Sequence, residues 1–120
     1  MDSNDHKKRT KTFALRVIKL VESLPNTTTA GVLGKQLLRS ATSVGANYRA
    51  ACRAKSPADF IAKLKIVEEE GDESMYWIEL LIEGGLVEAH RVADLLEEAN
   101  QIVAITVASL KTARAQQERK

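Results

Sequence analysis

Apolar positions along this chain recur every three to four residues in four stretches, which is the spacing of one buried helix face. In the first stretch Phe13, Val17, Leu20 and Leu24 form the stripe, widened by Ala14, Ile18 and Val21. Helix 1 is expected from about Thr10 to Leu24, where Pro25-Asn26 stops it. Leu33, Leu37, Ala41, Val44, Tyr48 and Ala51 predict helix 2, starting near Thr29, whose hydroxyl can cap it, and running to about Ala54. Helix 3 has the clearest start: Ser56 as cap, Pro57 at the first helical position, and Asp59 where an acid suits the unbonded amides. Its seam is Phe60, Leu64, Val67, Ser74, Ile78 and Leu81, with Gly71 filling one turn, and it runs to about Glu83. Gly84-Gly85 then stop the helix, one taking the left-handed cap while Leu86 folds back. Helix 4 is expected from about Arg91 to Gln116, with Leu95, Ala99, Ile102, Thr106 and Leu110 inward and Leu96, Val103 and Val107 beside them. Residues 1–9 and 117–120 are polar and expected to be flexible. Long helices with short connections predict an all-α, antiparallel up-down-up-down four-helix bundle in a single domain over residues 1–120.

Composition narrows the function classes. A chain of 120 residues can bury a real core, and two prolines and six glycines suit helices. The single cysteine, Cys52, excludes an internal disulfide and suits a reducing compartment; it reads as a small helix-surface residue. No apolar run approaches the roughly 20 residues that span a bilayer. The N-terminus lacks the apolar core of a signal peptide, so a cytoplasmic protein without a membrane partner is expected. Nothing reads as an active site. A Cys52 nucleophile would need a nearby histidine, and only His6 and His90 exist. The acidic run Glu68-Glu69-Glu70-Gly71-Asp72-Glu73 invites a carboxylate-metal reading, but the Glu-x-x-His pair of di-iron bundles is absent. Glu69, Asp72, Glu79 and Glu83 instead make an outward acidic stripe. The expectation is a non-enzyme with no catalytic residues, metal or cofactor; the metal bundle is the minor alternative.

Charge is unevenly placed. Residues 1–55 hold 11 Lys/Arg against 3 acids, a charge of +8, and residues 56–120 hold 7 against 13, a charge of −6. Lys7, Lys8, Arg9 and Lys11 form a basic arm; Arg9, Arg16 and Lys19 share one side of helix 1, and Lys35, Arg39, Arg49 and Arg53 one side of helix 2. A basic stripe beside an arm is a candidate phosphate-tracking surface for RNA or DNA. Without interleaved aromatics, sequence-specific readout is not expected. Arg39 can instead pair with an acid of helix 3, such as Glu69 or Asp72. The alternative is a structural or protein-interaction module whose charges complement neighbouring subunits.

The stretch from Ser40 to Tyr48 carries no charge and is crowded with small residues, so another helix can approach closely. Arg39, Ala41, Ser43, Gly45, Ala46 and Asn47 are the candidate packing or oligomer seam. Tyr76 and Trp77 join it, because adjacent helical residues point about 100° apart and only one can face the bundle centre. The segment from Gln101 to Leu110 is apolar around most of its circumference, which predicts self-association.

Three segments together carry a family resemblance: Gln36–Ala51 with Arg39-x-x-x-Ser43-x-x-x-Asn47, then Asp59–Leu64, then Glu68–Leu81 with Tyr76-Trp77-x-Glu79-Leu80-Leu81. The chain resembles the bacterial four-helix bundle proteins first met as products of intervening sequences in large ribosomal RNA genes. The accessory protein of diversity-generating retroelements is a relative. The resemblance runs from about Phe13 to Lys111. It implies an antiparallel four-helix bundle assembling as a homopentameric ring or barrel, in a family for which no enzymatic activity is established. For the retroelement relatives it implies a scaffold that binds nucleic acid and a reverse transcriptase.

Overall fold

The structure, a computed structural model, describes residues 3–119. Each apolar stripe is one face of a helix: α1 (Ser3–Glu22), α2 (Thr28–Cys52), α3 (Pro57–Glu83) and α4 (Ala89–Glu118). No strand occurs among the described residues. The helices assemble into a body of 53 × 22 × 20 Å. α1 packs on α2 and α4, and α3 also packs on α2 and α4, while among the described residues the backbones of the two diagonal pairs stay apart.

Phe13 and Val17 of α1, Leu37, Ala41 and Val44 of α2, Val67, Ile78 and Leu81 of α3, and Leu95, Ala99 and Ile102 of α4 form one buried cluster. Leu64, Leu110 and Ala51 form a smaller one. Each fully buried Leu, Ile, Val or Phe contributes about 1.5–3 kcal/mol relative to exposure, so these stripes carry most of the folding drive. Part of the α2–α3 contact is made by small polar residues. The Ser74 and Ser40 hydroxyls lie 2.9 Å apart, Ser40 also donates to the Leu37 carbonyl at 3.1 Å, and both serines are buried. A buried hydroxyl without a partner is costly, and here the helix carbonyls and the facing hydroxyl supply partners.

The ends follow local chemistry. Ser56 caps α3 by accepting the Asp59 N–H at 3.0 Å, and the Asp59 carboxylate accepts the Lys55 N–H at 3.2 Å. Gly85 takes φ 75°, Leu86 N–H donates to the Leu81 carbonyl at 2.9 Å, and Gly85 N–H to the Ile82 carbonyl at 3.0 Å. That bond pair closes the helix end and lays Leu86 against the core. The α2 cap is Thr27 rather than Thr29: its hydroxyl oxygen accepts the Ala30 N–H at 3.1 Å. Any of three consecutive threonines can cap, and the buried face beginning at Ala30 selects the first.

The N-terminus departs from expectation. Residues 3–9, expected as a flexible arm, are the first two turns of α1. His6 and Thr10 are buried and extend the Phe13–Val17 face backwards at the same spacing. The Thr10 hydroxyl lies 3.0 Å from the His6 carbonyl and 3.1 Å from that of Lys7, so its polar group is satisfied within its own helix. At the other end, residues 117 and 118 continue α4. Residues 1, 2 and 120 of the expected flexible ends lie outside the described residues.

Candidate nucleic-acid interface

Burying Thr10 brings α1 close to α2. A Cβ placed on Gly45 would stand 3.5 Å from the Thr10 carbonyl oxygen, so the two backbones are separated by little more than a methyl group. Outside that contact lies a groove of about 380 Å³. Lys7, Lys8 and Lys11 form its α1 side, Arg49 stands on the α2 side, and Ala14, Thr42, Gly45 and Ala46 make the floor. Ala46 and Arg49 also line a second hollow of about 640 Å³, which carries Arg53, Lys55 and Lys63 around Ser56 and Asp59 at the start of α3. The two together make one basic strip across α1, α2 and the beginning of α3. Among the described residues, ion pairs engage Arg9, Arg39, Lys65 and His90, and none of the strip's cations.

The predicted cations therefore separate. Lys7, Lys8, Lys11, Arg49 and Arg53 converge. Lys55 and Lys63 join them without having been expected, because they belong to a connection and to the next helix, and only tertiary packing brings them beside Arg49. Arg9 leaves the set. Its guanidinium faces α4, bidentate to Glu98 at 2.6 and 2.8 Å, and also donates to Gln101. That bond raises the Arg9 pKa and, with added charge from Arg9 and Arg16, holds the Glu98 carboxyl below its ordinary value against the opposing effect of burial. Arg16 and Lys19 are exposed on α1 but outside the groove, and Lys35 borders a hollow at the α1–α2 connection with Glu22 and Pro25.

The seam residues also divide. Ala41 is buried in the core, while Gly45 and Ala46 are groove floor. Asn47 Nδ2 donates to the Ser43 carbonyl and hydroxyl, both at 2.9 Å, on the outer α2–α3 side. Arg39 reaches across to α3, but to Glu70 at 3.1 Å and to Glu73, not to Glu69 or Asp72. Trp77 Nε1 donates to the same Glu73 at 3.2 Å. Trp77 packs on the core, and Tyr76, 53% exposed, meets it edge-on with ring centroids 5.2 Å apart. Glu69, Asp72, Glu79 and Glu83 are exposed, as the outward stripe requires.

A substitution in the floor tests the close approach. Gly45→Ala is expected to be tolerated, since its methyl would make ordinary contact with Thr10. Gly45→Leu must push α1 away, costing about 1–3 kcal/mol as overpacking does. Chemical denaturation of the two variants at equal protein concentration checks this; equal stability for Ala and Leu would remove the close approach.

Another hollow, about 760 Å³, lies between Ser3, Tyr48, Phe60 and Gln116. It offers no Lys, Arg, Asp or Glu among its described lining residues. Among the described residues no three or more His, Cys, Asp or Glu side chains are grouped to hold a metal, and no helix is long and apolar enough to cross a membrane.

Four helices, each with its backbone beside two others, and a basic strip across three of them define a helical-bundle protein with a basic surface. The chain matches the family described as 23S rRNA-intervening sequence protein over residues 3–108, and it belongs to that family. It is similar to a solved crystal structure from Bacteroides thetaiotaomicron, described as a protein with unknown function from the S23 ribosomal protein family. The two are 37% identical, with a TM-score of 0.86, over 92% of this chain and 99% of that one. No curated protein matches.

Proposed function

We propose that the chain is a non-enzymatic, cytoplasmic helical-bundle scaffold that assembles with copies of itself and contacts RNA or DNA through the α1–α2 groove. The observation that carries this reading is the strip of Lys7, Lys8, Lys11, Arg49, Arg53, Lys55 and Lys63, which no ion pair among the described residues neutralises. Cations left free beside a floor of small side chains suit a phosphate backbone, which needs charge and close approach but no base contacts. The helix order is antiparallel up-down-up-down. Neighbour-only packing supports it, as do the pairings of Thr10 with Gly45 and of Val21 and Leu24 with Gly34. Retention of an RNA oligonucleotide on the purified protein tests the function. Strong retention at about 50 mM salt that falls steeply by about 200 mM is expected of counterion-driven binding. No retention at the lower salt would sink the reading.

Five copies is the number that the family resemblance implies. Exposed Leu15, Val32, Ile66 and Tyr76 are apolar surface that assembly can cover. Light scattering at micromolar concentration is expected to report a multiple of the 13.2 kDa chain, and a stable monomer would overturn the assembly. The exposed acidic stripe of α3 favours a second reading, in which the basic strip meets the acids of a neighbouring copy. That assembly would retain no RNA and would dissociate at high salt.

A further inference from the structure

His6 is buried to 3% exposure, and among the described residues neither of its ring nitrogens has a hydrogen-bond partner. Its ring stands edge-on to Tyr48 of α2, with centroids 4.4 Å apart and planes at 84°. The other titratable or charged groups bearing on it are Arg9 from its own helix, the α-amino group and Glu98 from α4. A neutral imidazole already has one donor and one acceptor dry here. A protonated ring would have two dry donors and a full charge beside the Arg9 guanidinium. Lys7 and Lys8 lie in the same two turns of α1 and Lys11 just beyond them, and the three form the α1 rim of the basic groove.

We infer that His6 is an acid-sensitive latch on the groove. Neutral, its ring seats the first two turns of α1 against Tyr48 and holds the three lysines opposite Arg49. Protonated, it leaves the interface, and that rim of the groove opens with it. A local opening at a helix end costs less than unfolding the bundle, so the response is confined to α1. The direction of titration agrees. Burial first, then Arg9 and the α-amino group, lower the His6 pKa below 6.5, while Glu98 opposes them. A group that binds protons more weakly when folded stabilises the fold at pH above its unfolded value. That contribution is lost as pH falls from about 6.5 through the lowered folded value. The effect on nucleic acid rests on the function proposed above; the latch itself does not.

Amide hydrogen exchange decides it. Because the folded protein binds this proton more weakly than the unfolded chain, protection of residues 7–13, corrected for intrinsic rates, should fall between pH ~7.5 and pH ~5. The fall should follow the titration of the His6 ring resonance. His6→Phe, which fills the space without titrating, should keep its protection over that range, and His6→Met serves if Phe does not fold. Unchanged wild-type protection, or equal loss in the variant, overturns the latch. A fall that does not track the His6 ring overturns it as well. An oligouridylate probe at about 50 mM salt reads the consequence: wild-type affinity should drop several-fold in acid, against the general gain from added positive charge, and the variant's should not. If neither protein retains the probe at neutral pH, the groove reading fails, while the exchange data still judge the latch.

Discussion

Reversing two charges of the groove, Lys8→Glu and Arg49→Glu together, is expected to weaken RNA binding about 100-fold at about 50 mM salt. The magnitude follows from counterion release. A single-strand phosphate contact contributes a slope of about 0.7 in log affinity against log salt, so losing one at about 50 mM costs roughly eightfold. Two lost contacts give about 60-fold, and repulsion by the new carboxylates adds to it. The salt dependence should flatten by about 1.4 in the same plot. In an assembly the loss is larger, because every copy that engages the strand loses its contacts together. The control is Lys19→Glu with Lys35→Glu, the same change in net charge on exposed sites outside the groove. It should cost far less. Filter binding or fluorescence anisotropy over a salt series, with light scattering to confirm unchanged assembly, reads all three. Equal losses in the two double variants would mean that net charge, and not the groove, attracts RNA.

The second large effect is expected at Gly71. Helix propensity alone says that replacing an interior glycine by alanine stabilises by about 1 kcal/mol. Gly71 is buried, however, and a Cβ there would stand 2.7 Å from Val103 Cγ2 of α4. Valine is branched at Cβ and its χ1 is stiff, so this methyl cannot simply swing aside. Overpacking costs about 1–3 kcal/mol, so Gly71→Ala should destabilise on balance by about 1 kcal/mol and Gly71→Leu by several. In the double variant Gly71→Ala, Val103→Ala the clash disappears. A cycle of denaturation measurements should then give a favourable coupling of about 1 kcal/mol or more between the two sites. Gly71→Ala more stable than the parent would show that α3 and α4 are not held this close. Protein concentration must be equal throughout, because an assembling chain gains apparent stability with concentration.

The α3 and α4 stripes were readable because one complete face of each helix is covered, so Leu64, Val67, Ile78 and Leu81, and Leu95, Ala99, Ile102 and Leu110, keep strict helical spacing. The α3 start at Ser56-Pro57 and its end at Gly84-Gly85 were readable because capping is local. It needs only the donors and acceptors within one turn. Charge asymmetry placed candidate cations in the first half, and five of the nine lie in the basic strip.

The rest depended on which helix stands next to which. His6 and Thr10 look solvated by residue type, yet α2 covers them, and a histidine and a threonine can be buried when their neighbours tolerate it. Arg39 pairs with Glu70 and Glu73, and not with Glu69 or Asp72, because the rotation of α3 against α2 chooses among acids that the chain lists side by side. Arg9 turns to Glu98, 89 residues away, while Lys8 next to it stays in the groove. Lys55 and Lys63 reach Arg49 only through the turn between α2 and α3. Hydrophobic period and caps are properties of one helix and its own few neighbours along the chain, so the sequence by itself determined four helices, their inward faces and most of their ends. The groove, the latch residue and every long-range ion pair depend on the relative rotation of packed helices. That rotation is set by side-chain volumes across the whole interface, which only the tertiary structure brings together.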